Sequence, residues 1–128
     1  MRQASAELSP VVLVIDDDPD CRRDLGEAVE AMGYRAITAC DGESGLELLR
    51  RGPVAVVITD WQMPGMDGMA VALAIKHSSQ APPVLLVTGA VHWRPKADEL
   101  RDCGILERLN KPVDIKRLRE RLAELVAT

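Results

Sequence analysis

A chain of 128 residues with 47% hydrophobic and 28% charged residues is sized for one domain around one core, and this balance excludes a disordered polymer. A formal net charge of −4 and a pI of about 5.2 speak against a nucleic-acid surface as its main business. Aromatic residues make up only 2% with no Phe, so the core has to be built from Val, Leu, Ile, Ala and Met. Cys21, Cys40 and Cys103 are odd in number and far apart, which argues against a disulfide framework or a zinc site and for a reducing compartment. Residues 1–10, "MRQASAELSP", lack the apolar stretch of a signal peptide and read as a disordered or flexible lead-in to a single domain over 11–127. No run reaches the length of a membrane span, and the expected address is the cytoplasm.

From Val11 onward, short β-branched runs alternate with stretches of helical period. "VVLVI" (11–15) reads as the first strand, followed by Asp16, Asp17 and Asp18. Asp18 suits a helix cap, Pro19 the first helical position and Gly33 the end, with Cys21, Leu25, Ala28, Val29 and Met32 on one face. "RAIT" (35–38) is the second strand and 42–51 the second helix. "VAVVIT" (54–59) is the third strand, stopping on Asp60, and 68–77 the third helix. "PVLLVT" (83–88) ends on Thr88, and 95–103 reads as a helix with a weak apolar stripe. "ILERL" (105–109) leads to Lys111-Pro112, and a last helix from about 114 to 126 is expected to bury Ile115, Leu118, Leu122 and Leu125. Its opposite face carries Lys116, Arg117, Arg119 and Arg121, which read as a solvated face before a basic binding patch. Strict alternation with near-continuous apolar strands implies an open parallel α/β sandwich covered on both faces.

In such sheets, ligands bind beyond the carboxyl ends of the strands. Polar residues stand where the apolar runs stop: Asp16 and Asp17 after the first, Asp60 after the third, Thr88 at the end of the fourth and Lys111 after the fifth. Each alone is compatible with a turn, a cap or solvated surface. Together they form a complementary set. Close carboxylates repel unless a cation relieves them, and oxygen-only ligands suit Mg²⁺. A divalent cation, an ammonium, a hydroxyl and a free carboxylate suit a phosphoryl group, with Asp60 as nucleophile.

These pieces make the chain recognisable. "VLVIDDDPD", "VVITDWQMPGMDG", "VLLVTGA" and "LNKPV" stand in the order and separations of the receiver domain of two-component response regulators, which the chain resembles from about Val11 to Val126. The resemblance implies a flavodoxin-like (βα)5 fold with a five-stranded sheet of order 2-1-3-4-5. It implies Asp60 as phosphoacceptor, Mg²⁺ (or Mn²⁺) held by Asp17, Asp60 and the backbone carbonyl of Gln62, and Asp16 acting through water. Thr88 corresponds to the switch hydroxyl that moves toward the phosphoryl group, Lys111 to the ion-pair partner of that group, and Lys111-Pro112 to a cis peptide. Met63-Pro64-Gly65 and Asp67-Gly68 then read as turn and cap chemistry, with no catalytic part for Asp67.

The chain departs from the pattern at Arg108, where receivers carry Tyr or Phe, and at Val113, where Phe is usual. Arg108 is expected to be exposed on the partner-facing surface and available to a partner carboxylate. Trp61 and Trp93 are expected near the site as surface packing. The implied partners are a histidine kinase or phosphotransfer protein and a downstream protein, with no direct nucleic-acid or membrane partner and with homodimerisation left open. The implied role is a signalling switch that catalyses only its own phosphorylation and dephosphorylation, in a stand-alone regulator or a hybrid histidine kinase. An aspartyl-phosphate-forming phosphatase is the competing enzyme class, but Gln62 occupies the place where such an enzyme needs a second acid. A pure interaction module is disfavoured by the complete acidic set.

Overall fold

In the computed structural model, residues 9–89 and 96–127 are described. The expected lead-in up to residue 8 and Trp93 lie outside the described residues. The β-branched runs form β1 (Val11–Ile15), β2 (Arg35–Ala39), β3 (Val56–Asp60), β4 (Val84–Thr88) and β5 (Ile105–Asn110). The helices are α1 (Pro19–Ala31), α2 (Gly42–Arg51), α3 (Gly68–Lys76), α4 (Ala97–Asp102) and α5 (Ile115–Ala127). All strand pairs are parallel, in the order β2-β1-β3-β4-β5. The expected architecture is therefore the observed one.

Because side chains alternate across a strand, each central strand feeds two cores. Leu13, Ile15, Val57 and Leu86 pack with Leu49 of α2 and Val71, Ala72 and Ile75 of α3. Val12, Val14, Val56, Ile58, Leu85 and Val87 pack on the other face with Leu25 and Val29 of α1 and Leu118 and Leu122 of α5. Each such fully buried Val or Leu is worth about 1.5–3 kcal/mol of transfer free energy, so the central strands are the most firmly held part of the fold. The order reverses between β1 and β3, which opens the crevice where their carboxyl ends emerge.

The elements differ from expectation at particular residues. Val54 and Ala55 precede β3, and the Val54 N–H donates to the Gln80 side chain instead of a strand. Gln80 also donates from Nε2 to the carbonyls of Leu49 (3.1 Å) and Gly52 (3.0 Å), closing the end of α2 from 28 or more residues away. Ile115, the first residue of α5, is 43% exposed rather than buried, while Leu118 and Leu122 take up the core contact. Arg117 and Arg121 are not simply solvated, since both pair with Glu107 on β5. Among the described residues, no helix is long and apolar enough to cross a membrane.

Candidate functional site

Strand ends bring the charged residues to one edge. Asp16 emerges from β1 into the crevice and is buried, with 1% of its surface exposed. A buried carboxylate needs partners. Its Oδ1 accepts the Asp18 N–H (2.9 Å), its Oδ2 accepts Lys111 Nζ (2.9 Å), and its backbone carbonyl accepts from Arg22 Nη1 (2.9 Å). Asp17 stays exposed, while Asp18 turns away to cap α1 by accepting the Asp20 N–H (2.9 Å). That bond draws the Asp18 carboxyl below the usual aspartate range.

Asp60 ends β3 with its Oδ1 on the Trp61 N–H (2.7 Å) and its Oδ2 on Lys111 Nζ (3.2 Å). The carboxylates of Asp16, Asp17 and Asp60 each offer an oxygen within 4.8 Å of the others. Burial pushes the Asp60 pKa up, and the Asp16 charge adds to this against the pull of Lys111. Burial alone would lower the Lys111 pKa, but the hydrogen bond and charge of Asp16, followed by those of Asp60, outweigh it and raise the value. Lys111 therefore stays an ammonium throughout the neutral range.

The surroundings hold this geometry. The Lys111 N–H donates to the Thr88 carbonyl (2.9 Å), and the Lys111-Pro112 bond is cis, as expected. Thr88 is buried at the end of β4, beside Asn110 in the ladder. Gly65 takes φ +79 in the Met63-Pro64-Gly65 turn, a conformation that L side chains rarely adopt. Asp67 caps α3 by accepting the Ala70 N–H (2.8 Å). Gln62 is exposed on a groove that Asp17, Trp61, Met63, Pro64 and Asp67 also line.

The predicted set thus divides. Asp16, Asp17, Asp60 and Lys111 converge, Thr88 is tied to Lys111 through its backbone, and Gln62 lies on the adjoining groove. Arg108 lies apart, half-buried on β5 opposite Leu86, which corrects the expectation of an exposed side chain. The cause is a register shift: Ile105 pairs with Val84, but Glu107 pairs with Leu85, so Leu106 bulges outward and is 54% exposed. Arg22, on the Asp16 carbonyl, is a contact that sequence reading missed. Only its position one turn into a helix after the acidic run could have signalled it.

A doubly wound α/β domain with three carboxylates and a lysine at its topological switch point is the class of protein that this fold and site define. The chain belongs to the response regulator receiver domain family, whose model matches residues 12–123. It is 36% identical over 105 residues to the transcriptional regulatory protein GlrR of Escherichia coli K12, covering 80% of this chain and 23% of that protein. It is 34% identical over 116 residues to the sensor histidine kinase RcsC of Salmonella typhi, covering 88% of this chain and 12% of that protein. The chain therefore spans less than a quarter of the length of these curated relatives. A crystal structure of a response regulator receiver domain protein from Clostridium thermocellum superposes with a TM-score of 0.84 at 27% identity, covering 92% of this chain and 94% of that one.

Proposed function

We propose that Asp60 is the phosphoacceptor of a signalling switch, receiving a phosphoryl group from a phosphohistidine on a histidine kinase or phosphotransfer protein. The observation that carries this reading is the Asp60 carboxylate itself, held between the Trp61 N–H and the Lys111 ammonium and next to two further carboxylates. An Asp60 oxygen forms a bond to phosphorus as the phosphorus–nitrogen bond breaks. The imidazole leaves with the bonding pair and takes a proton from solvent. Lys111 exchanges part of its pairing with Asp60 for the incoming phosphoryl oxygens.

The donor set fits a hard divalent cation. It is all oxygen, and one lysine leaves the three carboxylates with a formal charge of −2. Asp17, Asp60 and the Gln62 backbone carbonyl would hold Mg²⁺ or Mn²⁺, with Asp16 acting through water. When bound, the ion supplies neutralisation of charge on the phosphoryl oxygens. Thr88 and Arg108 are the residues assigned to read-out. Phosphorylation would change the charge at the strand edge and bias the surface that partners meet. This reading holds for a stand-alone regulator and for the receiver module of a hybrid histidine kinase. It places the domain in the cytoplasm, which suits free Cys21, Cys40 and Cys103.

Incubation with acetyl phosphate and Mg²⁺ should give an acid-labile, hydroxylamine-sensitive label on the wild type and none on Asp60→Asn. Equal labelling of both proteins would overturn the assignment.

A further inference from the structure

Among the described residues, three polar or charged residues are buried: Asp16, Thr88 and Thr59. The first two belong to the set at the strand ends. Thr59 lies inside the apolar run of β3, fully buried, between Ile15 of β1 and Leu86 of β4 in the ladder. Packing gives no reason for a hydroxyl there, because Val would fill the same space, and a buried hydroxyl is costly unless bonded. Thr59 Oγ1 donates to the Asp60 carbonyl at 3.0 Å.

That carbonyl and the Trp61 N–H belong to one planar peptide unit, so the orientation of one dictates that of the other. The same N–H donates to Asp60 Oδ1 at 2.7 Å. α3 closes on this peptide from the other direction. A Cβ at Gly68 would lie 2.4 Å from the Asp60 carbonyl oxygen, and the Gly68 N–H donates to the next carbonyl, that of Trp61, at 2.8 Å. The strand end is therefore gripped on two successive peptides.

We propose that Thr59 is a positioning residue. Its hydroxyl holds the Asp60–Trp61 peptide so that the Trp61 N–H fixes the plane of the Asp60 carboxylate for attack on phosphorus. The inference rests on Asp60 being the phosphoacceptor. With acetyl phosphate as donor, an Asp60 oxygen bonds to phosphorus while the bond from phosphorus to the acetate oxygen breaks, and acetate leaves with the pair. The misalignment cost falls on this step and not on donor binding.

The test compares the full-length wild type, Thr59→Val, Thr59→Ser and Asp60→Asn. Each is labelled with acetyl phosphate at saturating Mg²⁺, with the Trp61 amide followed by NMR and stability by urea unfolding. Thr59→Val should keep its unfolding midpoint and donor KM within about twofold, yet lose about tenfold in maximal labelling rate and shift the Trp61 amide resonance. Thr59→Ser should recover both. Thr59→Val labelling at the wild-type rate, with Asp60→Asn unlabelled, overturns this inference alone. Thr59→Ser as slow as Thr59→Val also overturns it, since shape and not the hydroxyl would then be at work. Wild type and Asp60→Asn labelling alike overturns the phosphoacceptor reading and this inference with it. Should Thr59→Val fail to fold, Thr59→Ala provides the hydroxyl-free arm.

Discussion

Two charge triads of opposite composition each include a residue of β5 or of the turn just after it. At the site, one ammonium lies between two carboxylates: Lys111 between Asp16 and Asp60, with side-chain exposures of 20%, 1% and 11%. Between β5 and α5, one carboxylate lies between two guanidiniums. Glu107 Oε2 accepts from Arg117 Nη2 (2.8 Å), and its Oε1 meets Arg121 Nε (2.6 Å). Arg117 is 48% exposed, so water screens that pair, and it ties a helix to an edge strand without further demands. Arg121, 18% exposed, also pairs with Glu124 at 3.2 Å, which leaves that cluster neutral, whereas the first triad, with Asp17 beside it, keeps a surplus of two negative charges. Unbalanced charge, more than shelter, separates the two clusters and marks the first as the candidate binding site.

The largest expected break comes from Lys111→Met. Labelling of Asp60 should fall roughly a hundredfold. Affinity for Mg²⁺ should rise roughly fivefold or more, because the carboxylates lose their competing cation. Without Mg²⁺, the unpaired buried Asp16 should lower stability by about 3 kcal/mol in urea unfolding. A Mg²⁺ affinity that falls instead would show that Lys111 organises the carboxylates and does not merely offset their charge.

Glu107→Gln should cost about 1 kcal/mol in the same assay and leave labelling and Mg²⁺ affinity unchanged. A labelling defect there would erase the distinction between the two triads. A milder probe uses Trp61, which adjoins Asp60 and lines the groove with Asp17. In a Trp93→Phe background, millimolar Mg²⁺ should change its emission, and a silent titration would count against a cation site at the three carboxylates.

The smallest effect concerns how a capping carboxylate and a carboxylate of the candidate site titrate. Asp41 caps α2 by accepting the Ser44 N–H (2.7 Å), and this bond draws its pKa below the ordinary 3.8. Its contribution to stability is therefore present above pH 3.8 and lost as pH falls through the lower folded value. The stability gap between wild type and Asp41→Ala should shrink on acidification from pH 6 to pH 2.5. Asp60 is shifted the other way, by burial. A gap that widened on acidification would contradict the cap assignment.

Much of this was legible in the residues. The near-continuous apolar runs of β1, β3 and β4, the Asp-Pro start of α1 and the Asp-Gly start of α3 are local signals, written in consecutive residues. The four convergent site residues were legible because each follows an apolar run, and parallel strands bring all such positions to one edge. Gln80, Arg22 and Thr59 were not. Each acts through hydrogen bonds to backbone atoms, one for Arg22 and Thr59 and three for Gln80, and such bonds leave no mark on composition or period. Arg108 and Ile115 were misplaced for a related reason, since the bulge in β5 and the docking of α5 through Leu118 and Leu122 depend on contacts with other elements.

The sequence by itself determined the strands and helices, their layering, and which residues stand at the strand ends, because hydrophobic period and caps act over a few residues. Only the tertiary structure decided how the charges pair: Lys111 with Asp16 and Asp60 across 95 and 51 residues, and Glu107 with α5 and not with solvent. Pairing depends on ångström distances and on shelter from water, and both exist only once the sheet has brought distant segments together.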